Sequence, residues 1–348
     1  MSARLLYLLK MLLTERNGEM EEKQIHITSI GGQAVMEGVM MRGPHKTVVA
    51  VRKPDGEIEK KIEDNGTTKK NKICRLPIIR GCIGFIESLV IGIKALMYSA
   101  SFVDIDGEEE EESKFDKWLE EKLGDKLKDV VIYFSVFISV IFSIGLFMLL
   151  PAFLTKGVEL LGAKVSFLAV VTGTHTFTSL FEGVIRMAIF LGYMALVSKM
   201  SEIKRVYEYH GAEHKTIACY EAGEELTVEN VKKHTRFHPR CGTSFLLFVM
   251  LISILVFALL PRFDNFSGVA STLLRMATRL ALMPVVAGLS YEVIKWAGRS
   301  KNKFVGALSK PGLWLQRLTT REPDDSQIEV AIASILPCIP ENKEEDKW

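Results

Sequence analysis

Between Asp129 and Lys156 the chain runs for 26 residues, Val130–Thr155, without one charged side chain. A helix rises about 1.5 Å per residue, so such a run exceeds the roughly 30 Å hydrocarbon layer of a bilayer. A helix also closes its own backbone hydrogen bonds, which lipid demands of any spanning segment. The run therefore predicts a transmembrane helix. Cys241–Pro261, 21 uncharged residues between Arg240 and Arg262, predicts a second. Phe181–Ser198 and Met276–Ile294 complete the set, with Glu182, Arg186, Arg279 and Glu292 read as lying near the span ends, where charged side chains reach the interface. No span then carries a charged pair at its middle, which argues against a transporter. With 48% apolar residues and a formal charge of +2, the chain is neither disordered nor a nucleic-acid binder relying on global positive charge.

The expected fold is a mainly α, polytopic membrane protein with about four transmembrane helices plus a small N-terminal cytoplasmic β-containing unit. The expected divisions are an N-terminal extension over 1–23, a β unit with a Gly-rich apolar helix over 24–103, and an acidic linker with an amphipathic helix over 104–129. A transmembrane hairpin over 130–200, a His-rich loop over 201–240, a second hairpin over 241–297 and a tail over 298–348 follow. The loop 199–240 holds eight Lys and Arg and the tail 295–321 holds seven, so the positive-inside rule places loop and termini in the cytoplasm of a cell-membrane protein.

Within the β unit, Lys53-Pro54-Asp55-Gly56 is a turn signal between the strand-like runs Val48–Arg52 and Glu57–Ile62. The stretch Gly31–Pro44 reads either as a Gly-rich strand connection or as a contributor to a site, with Glu37 as an acid or ligand and Arg42 as an anion clamp. Leu76–Phe102 is apolar but interrupted by Glu87 and Lys94, so lying in the interface, re-entering and spanning all stay open. Val165–Phe181 carries four threonines and His175 and reads as an extracytoplasmic hairpin or re-entrant stretch.

Four of the seven histidines fall between His210 and His238. Met200, Ile203, Val206, Tyr207, His210, His214, Ile217 and Glu221 follow the 3.6-residue period, and Gly223 offers a stop. His210 and His214 thus share one helix face, with Glu213 beside them. The spacing H-x-x-E-H is that of the inverted zinc-peptidase motif, in which both imidazoles bind the metal and the Glu activates water. His238 and Cys241 add nitrogen and sulfur donors, so Zn²⁺ or another divalent metal could be held by His210, His214, His238 and Cys241. Cys241 follows Arg240 ahead of a helix that Thr243 or Ser244 would cap, a setting that favours the thiolate and leaves a nucleophilic Cys as a rival role. His234, on a Lys-rich segment, reads as solvated, and Cys74, Cys82, Cys219 and Cys338 as apolar fillers.

The segments Gly31–Pro44, Tyr209-His-Gly-Ala-Glu-His-Lys-Thr216, Glu224–Asn230, His238-Pro-Arg-Cys-Gly-Thr-Ser-Phe245 and Pro311–Asp324 resemble the DUF1385 family of bacterial membrane proteins. The resemblance implies a membrane location and a predicted metal-dependent enzyme, carried by position onto His210, Glu213, His214, His238 and Cys241; His234 lies outside those signatures. Two functions follow. One is a metal-dependent hydrolase of a membrane peptide or lipid-linked molecule, with Glu213 as the catalytic base. The other is a non-catalytic adaptor of a translocation or proteolysis complex, in which a metal staples the loop and Trp314, Leu315, Arg317 and Arg321 dock a membrane-protein partner.

Overall fold

The computed structural model describes residues 26–65, 74, 76–102, 127–162, 175–260, 268–299 and 303–347. In chain order come strands β1 (Gly31–Val35), β2 (Gly38–Arg42), β3 (Lys46–Arg52) and β4 (Ile58–Asp64), then helices α1 (Ile79–Ala100) and α2 (Leu127–Ile144). A π-helical turn (Gly145–Leu149) leads into α3 (Leu150–Gly162), followed by α4 (His175–Val197), α5 (Ser201–Glu221), α6 (Val228–Lys232), α7 (Gly242–Ala258) and α8 (Gly268–Arg299). Last are α9 (Lys303–Thr319), α10 (Asp325–Ile335) and a 3₁₀ turn (Leu336–Cys338). The fold is mainly helical, and among the described residues four helical stretches are long and apolar enough to cross a membrane: Ile79–Ala100, Phe137–Leu161, Thr176–Val197 and Leu273–Trp296. The expected N-terminal extension over 1–23 and residues 104–126 of the expected acidic linker and amphipathic helix lie outside the described residues.

The chain forms two compact units. The first comprises residues 1–67, 206–238 and 321–348. Its sheet is antiparallel in the order β1-β2-β3-β4, and the turn at Pro54–Gly56 joins β3 to β4 as its residues dictate, with Gly56 at a φ of 88°. The Gly31–Pro44 stretch is itself a hairpin, not merely a connection: Val35 pairs with Gly38 across a turn at Met36-Glu37. The sequence hid it because Glu37, not Gly or Asn, takes the positive φ of 49°. Strand β3 is buried on both faces from Thr47 to Val51, and Val39, Met41, Val48 and Ala50 join Tyr209, Ala212 and Ile217 of α5 and Ile328, Ala331 and Ile335 of α10 in one core.

The C-terminal stretch is knitted into this core. The fully buried Asp346 carboxylate accepts hydrogen bonds from His26 Nε2 at 2.6 Å, Thr28 Oγ1 at 2.5 Å and Tyr220 Oη at 3.0 Å. Cys338 is buried against Gly43, and burial pushes its thiol up to about 11 from an ordinary value near 9. The folded state then holds the proton more tightly than the unfolded one. Stability is fully present below pH ~9 and falls as pH rises through ~11. Thermal unfolding monitored from pH 8 to 11 is expected to show a falling Tm, and Cys338→Ala is expected to reduce that slope while leaving the part due to Cys219, whose thiol burial raises likewise.

The second unit comprises residues 68–205 and 239–320. The Leu76–Phe102 stretch is a helix of spanning length, with Phe85, Ile86, Leu89, Val90 and Ile93 exposed along its outside. On its packed side Gly81 meets α8 at Gly288, where an added Cβ would lie 2.9 Å from the Gly288 Cα, and Arg80 Nε donates to Glu292 at 2.7 Å. The expected span at Cys241–Pro261 is a shorter helix, the 17 residues of α7. Helix α4 starts at His175, six residues before Phe181, so the polar Thr-rich stretch is partly helix. That earlier start overturns the placement of charges near span ends: Glu182 and Arg186 sit well inside Thr176–Val197, both buried.

Candidate metal centre

Helix α5 is set by its apolar period and stopped by Gly223, which takes a φ of 69° that an L side chain rarely adopts. His210 and His214 are one turn apart on it, as the spacing predicts, and their ring centroids lie 4.4 Å apart. After α6 the chain returns, and His238 brings its ring centroid within 5.6 Å of that of His214. Three imidazoles are thus gathered in the first unit.

His214 is 1% exposed. Its Nδ1 lies 2.6 Å from the Arg236 carbonyl oxygen. A carbonyl only accepts, so Nδ1 is the donor, which leaves Nε2 as the nitrogen that can offer a lone pair to a metal. That Nε2 is buried with no hydrogen-bond partner among the described residues. A second partner fixing one ring nitrogen so that the other can ligate is how metal-binding histidines are usually oriented. The loop supplying that carbonyl is held by Glu322, which takes Lys215 Nζ at 2.7 Å and Arg236 at 3.3 Å.

Glu213 is buried, with Oε2 3.9 Å from His210 Nε2. Its Oε1 faces the bare backbone of β1: a Cβ on Gly32 would come within 3.0 Å of it and 2.5 Å of the Met40 carbonyl. The first Gly-rich segment therefore contributes by being small enough to pack against the acid of the H-x-x-E-H sequence. Glu37 accepts from Tyr209 Oη at 3.2 Å, which ties the β1–β2 turn to α5. Arg42 ends β2, paired across the sheet with Gly31 and Thr47. Cys241 belongs to the second unit; it is itself the N-cap of α7, with Sγ accepting from the Thr243 amide at 3.4 Å, so neither Thr243 nor Ser244 serves as the cap.

Two features went unread in the sequence. Glu221 has Oε2 3.5 Å from His238 Nε2, while its Oε1 accepts from the Thr28 amide at 2.9 Å. The signal was present, since Glu221 follows His214 by seven residues on the same face. His234 is half-buried rather than solvated, 3.2 Å from Glu224 Oε2, and the candidate ligand atoms of Cys219, Glu224 and His234 lie within 4.8 Å of one another, a second group that could hold an ion.

The comparisons agree with these motifs. The family described as "Protein of unknown function (DUF1385)" matches residues 76–341. The chain belongs to the DUF1385 family. This DUF1385 protein is also 37% identical over 310 residues to "Uncharacterized protein YqhQ" of Bacillus subtilis (strain 168), covering 87% of the chain and 90% of that protein. No solved structure matches it.

Proposed function

We propose that the first unit holds a divalent metal, best matched by zinc, on His210, His214 and His238, and that the protein is a metal-dependent hydrolase with Glu213 as its base. The observation that carries this is the buried His214 Nε2, without a hydrogen-bond partner among the described residues, on a ring whose centroid lies 4.4 Å from that of His210 and 5.6 Å from that of His238. An orphaned buried acceptor costs about 1–3 kcal/mol, which a bound cation would recover. Three nitrogens at ~2.0–2.1 Å suit zinc, and a bound zinc ion would lower the pKa of water towards 7. Glu213, buried beside His210, would take the proton from that water, and Glu221 would orient the His238 ring. Cys241 is three residues from His238, a tether of at most ~11 Å, and is the sulfur donor the sequence offers as a fourth ligand.

Metal analysis tests this on purified protein. Wild type is expected to carry about one equivalent of zinc at this site and His214→Ala to lose it, while Glu213→Gln keeps it, since a base is not a ligand. Wild type without metal after loading overturns the proposal, and loss of metal in Glu213→Gln moves Glu213 into the ligand set. In cobalt-substituted protein, a thiolate charge-transfer band abolished by Cys241→Ser would mark four protein ligands and turn the reading to the structural staple of an adaptor.

In this reading the first unit lies on the cytoplasmic face, which the Lys and Arg excess of the loop and tail supports. Because residues 26–65, 206–238 and 321–347 fold into one body, the links between them cross the bilayer an even number of times. Helices α7 and α8 meet this requirement for the second link. The first link contains α1, the α2–α3 stretch and α4, so two cross and one returns without crossing. Labelling of single cysteines placed at either end of each helix, with a membrane-impermeant reagent, checks the count.

A further inference from the structure

Inside the second unit a group of charges is enclosed by apolar helices. Arg186 sits at the middle of the Thr176–Val197 span, and Phe147, whose carbonyl accepts from Arg186 Nε at 3.0 Å, lies two residues from the middle of Phe137–Leu161. Arg279 of α8 reaches the same place, with Nη1 and Nη2 on the two oxygens of Glu182, the second at 2.9 Å. Arg186 Nη2 shares Glu182 Oε1 at 2.9 Å. Both guanidinium groups also lie over the Phe257 ring, 5.7 and 5.5 Å from its centroid. Glu182, Arg186 and Arg279 are 3%, 9% and 4% exposed.

The charges do not balance. Two guanidinium groups share one carboxylate, leaving one uncompensated positive charge among the described residues, and arginine does not discharge by losing its proton. One arginine would suffice for a structural pair with Glu182. Arg279 Nε, moreover, is buried without a partner among the described residues. A third sign comes from the backbone: Gly145–Leu149 is π-helical, a widened turn common at functional sites, and it supplies the Phe147 carbonyl that holds Arg186. Buried intramembrane charge, irregular helix and orphaned donor converge on one spot.

We propose that the Glu182–Arg186–Arg279 cluster is an oxyanion-binding centre within the membrane helices, taking one carboxylate or phosphate group on the guanidinium donors that Glu182 leaves over. Planar guanidinium forks match two oxygens of such a group, which selects it over chloride. This site is independent of the histidine cluster and of any metal.

The test uses the full chain in phosphatidylcholine nanodiscs, with Tm followed as inorganic phosphate or acetate replaces chloride at constant ionic strength. Wild type is expected to show a saturable rise in Tm. Arg279→Gln should weaken half-saturation by about tenfold or more, whereas Glu182→Gln, which frees a second positive charge, should tighten it. The opposite signs separate binding from mere structure, because a structural ion network predicts that both variants lower Tm with no dependence on the anion. Should Arg279→Gln not fold, Arg279→Lys keeps the charge without the fork and is expected to lose most of the response. Nanodiscs containing phosphatidylglycerol identify the source: a rise there without one from free phosphate or acetate supports a lipid headgroup as the oxyanion. No response in either arm, or equal responses in wild type and both variants, overturns the proposal.

Discussion

Gly211→Ala is expected to destabilise the first unit by about 2 kcal/mol net, even though alanine is the better helix former. Gly211 lies between His210 and Glu213 on α5, where a Cβ would stand 1.9 Å from the Arg321 carbonyl oxygen. Arg321 cannot yield easily, because its amide donates to the Tyr207 carbonyl at 2.8 Å and Glu322 next to it holds Lys215 and Arg236. Alanine gains ~1 kcal/mol of helix propensity, while overpacking against backbone costs roughly 1–3 kcal/mol and often more when no side chain can swing away. The clash wins. Because Arg236 supplies the carbonyl for His214 Nδ1, the same displacement should loosen the imidazole cluster, so metal retention should fall together with Tm. Gly31→Ala, where nothing lies within 4 Å of the added methyl, is the matched control and should leave both unchanged. An unaltered Tm in Gly211→Ala would show that the Arg321 segment does not pack on α5 as described.

Asp346→Ala should cost more, about 3–5 kcal/mol, as removal of one partner from a buried charged network does. The loss strands His26, Thr28 and Tyr220 together. Burial first, and then the hydrogen bond to Asp346, holds the Tyr220 phenol well above its ordinary value. The folded protein thus keeps the phenolic proton to higher pH than the unfolded chain, so the stability this adds is fully present below pH ~10 and falls as the pH rises above it. Thermal unfolding of Asp346→Ala, Tyr220→Phe and the double variant checks this: the double should be less destabilised than the sum of the singles, since the hydroxyl has no partner left to lose. Simple additivity would place the two groups in separate networks.

Much of the centre was legible because it is local. His210, Glu213 and His214 lie on one helix whose period and terminating Gly223 are written in consecutive residues, and the shared face of the two imidazoles follows from 3.6 residues per turn. The β3–β4 hairpin was legible through its Pro-Asp-Gly turn. What failed depends on residues distant in sequence. Nothing near Gly211 signals that Arg321 passes over it, and nothing near Thr28 signals Asp346. The depth of Arg186 was misjudged because Thr172–Thr178 looks too polar for a helix in lipid, although helical threonine hydroxyls can bond back to the preceding turn. The β1–β2 hairpin escaped because Glu37 occupies a conformation that Asn or Gly normally marks.

The interleaved make-up of the first unit also dictates when it can close. Roughly 260 residues separate the end of β4 at Asp64 from the start of α10 at Asp325, which at ~5–20 residues per second is on the order of ten to fifty seconds of synthesis. For that interval Val48 to Val51 emerge from the ribosome without the helix that later covers them. Maturation is therefore gated by translation of the final stretch: a nascent chain stalled before Asp325 carries an exposed β ribbon and an unfinished imidazole cluster, and makes a natural client for chaperones and quality-control proteases.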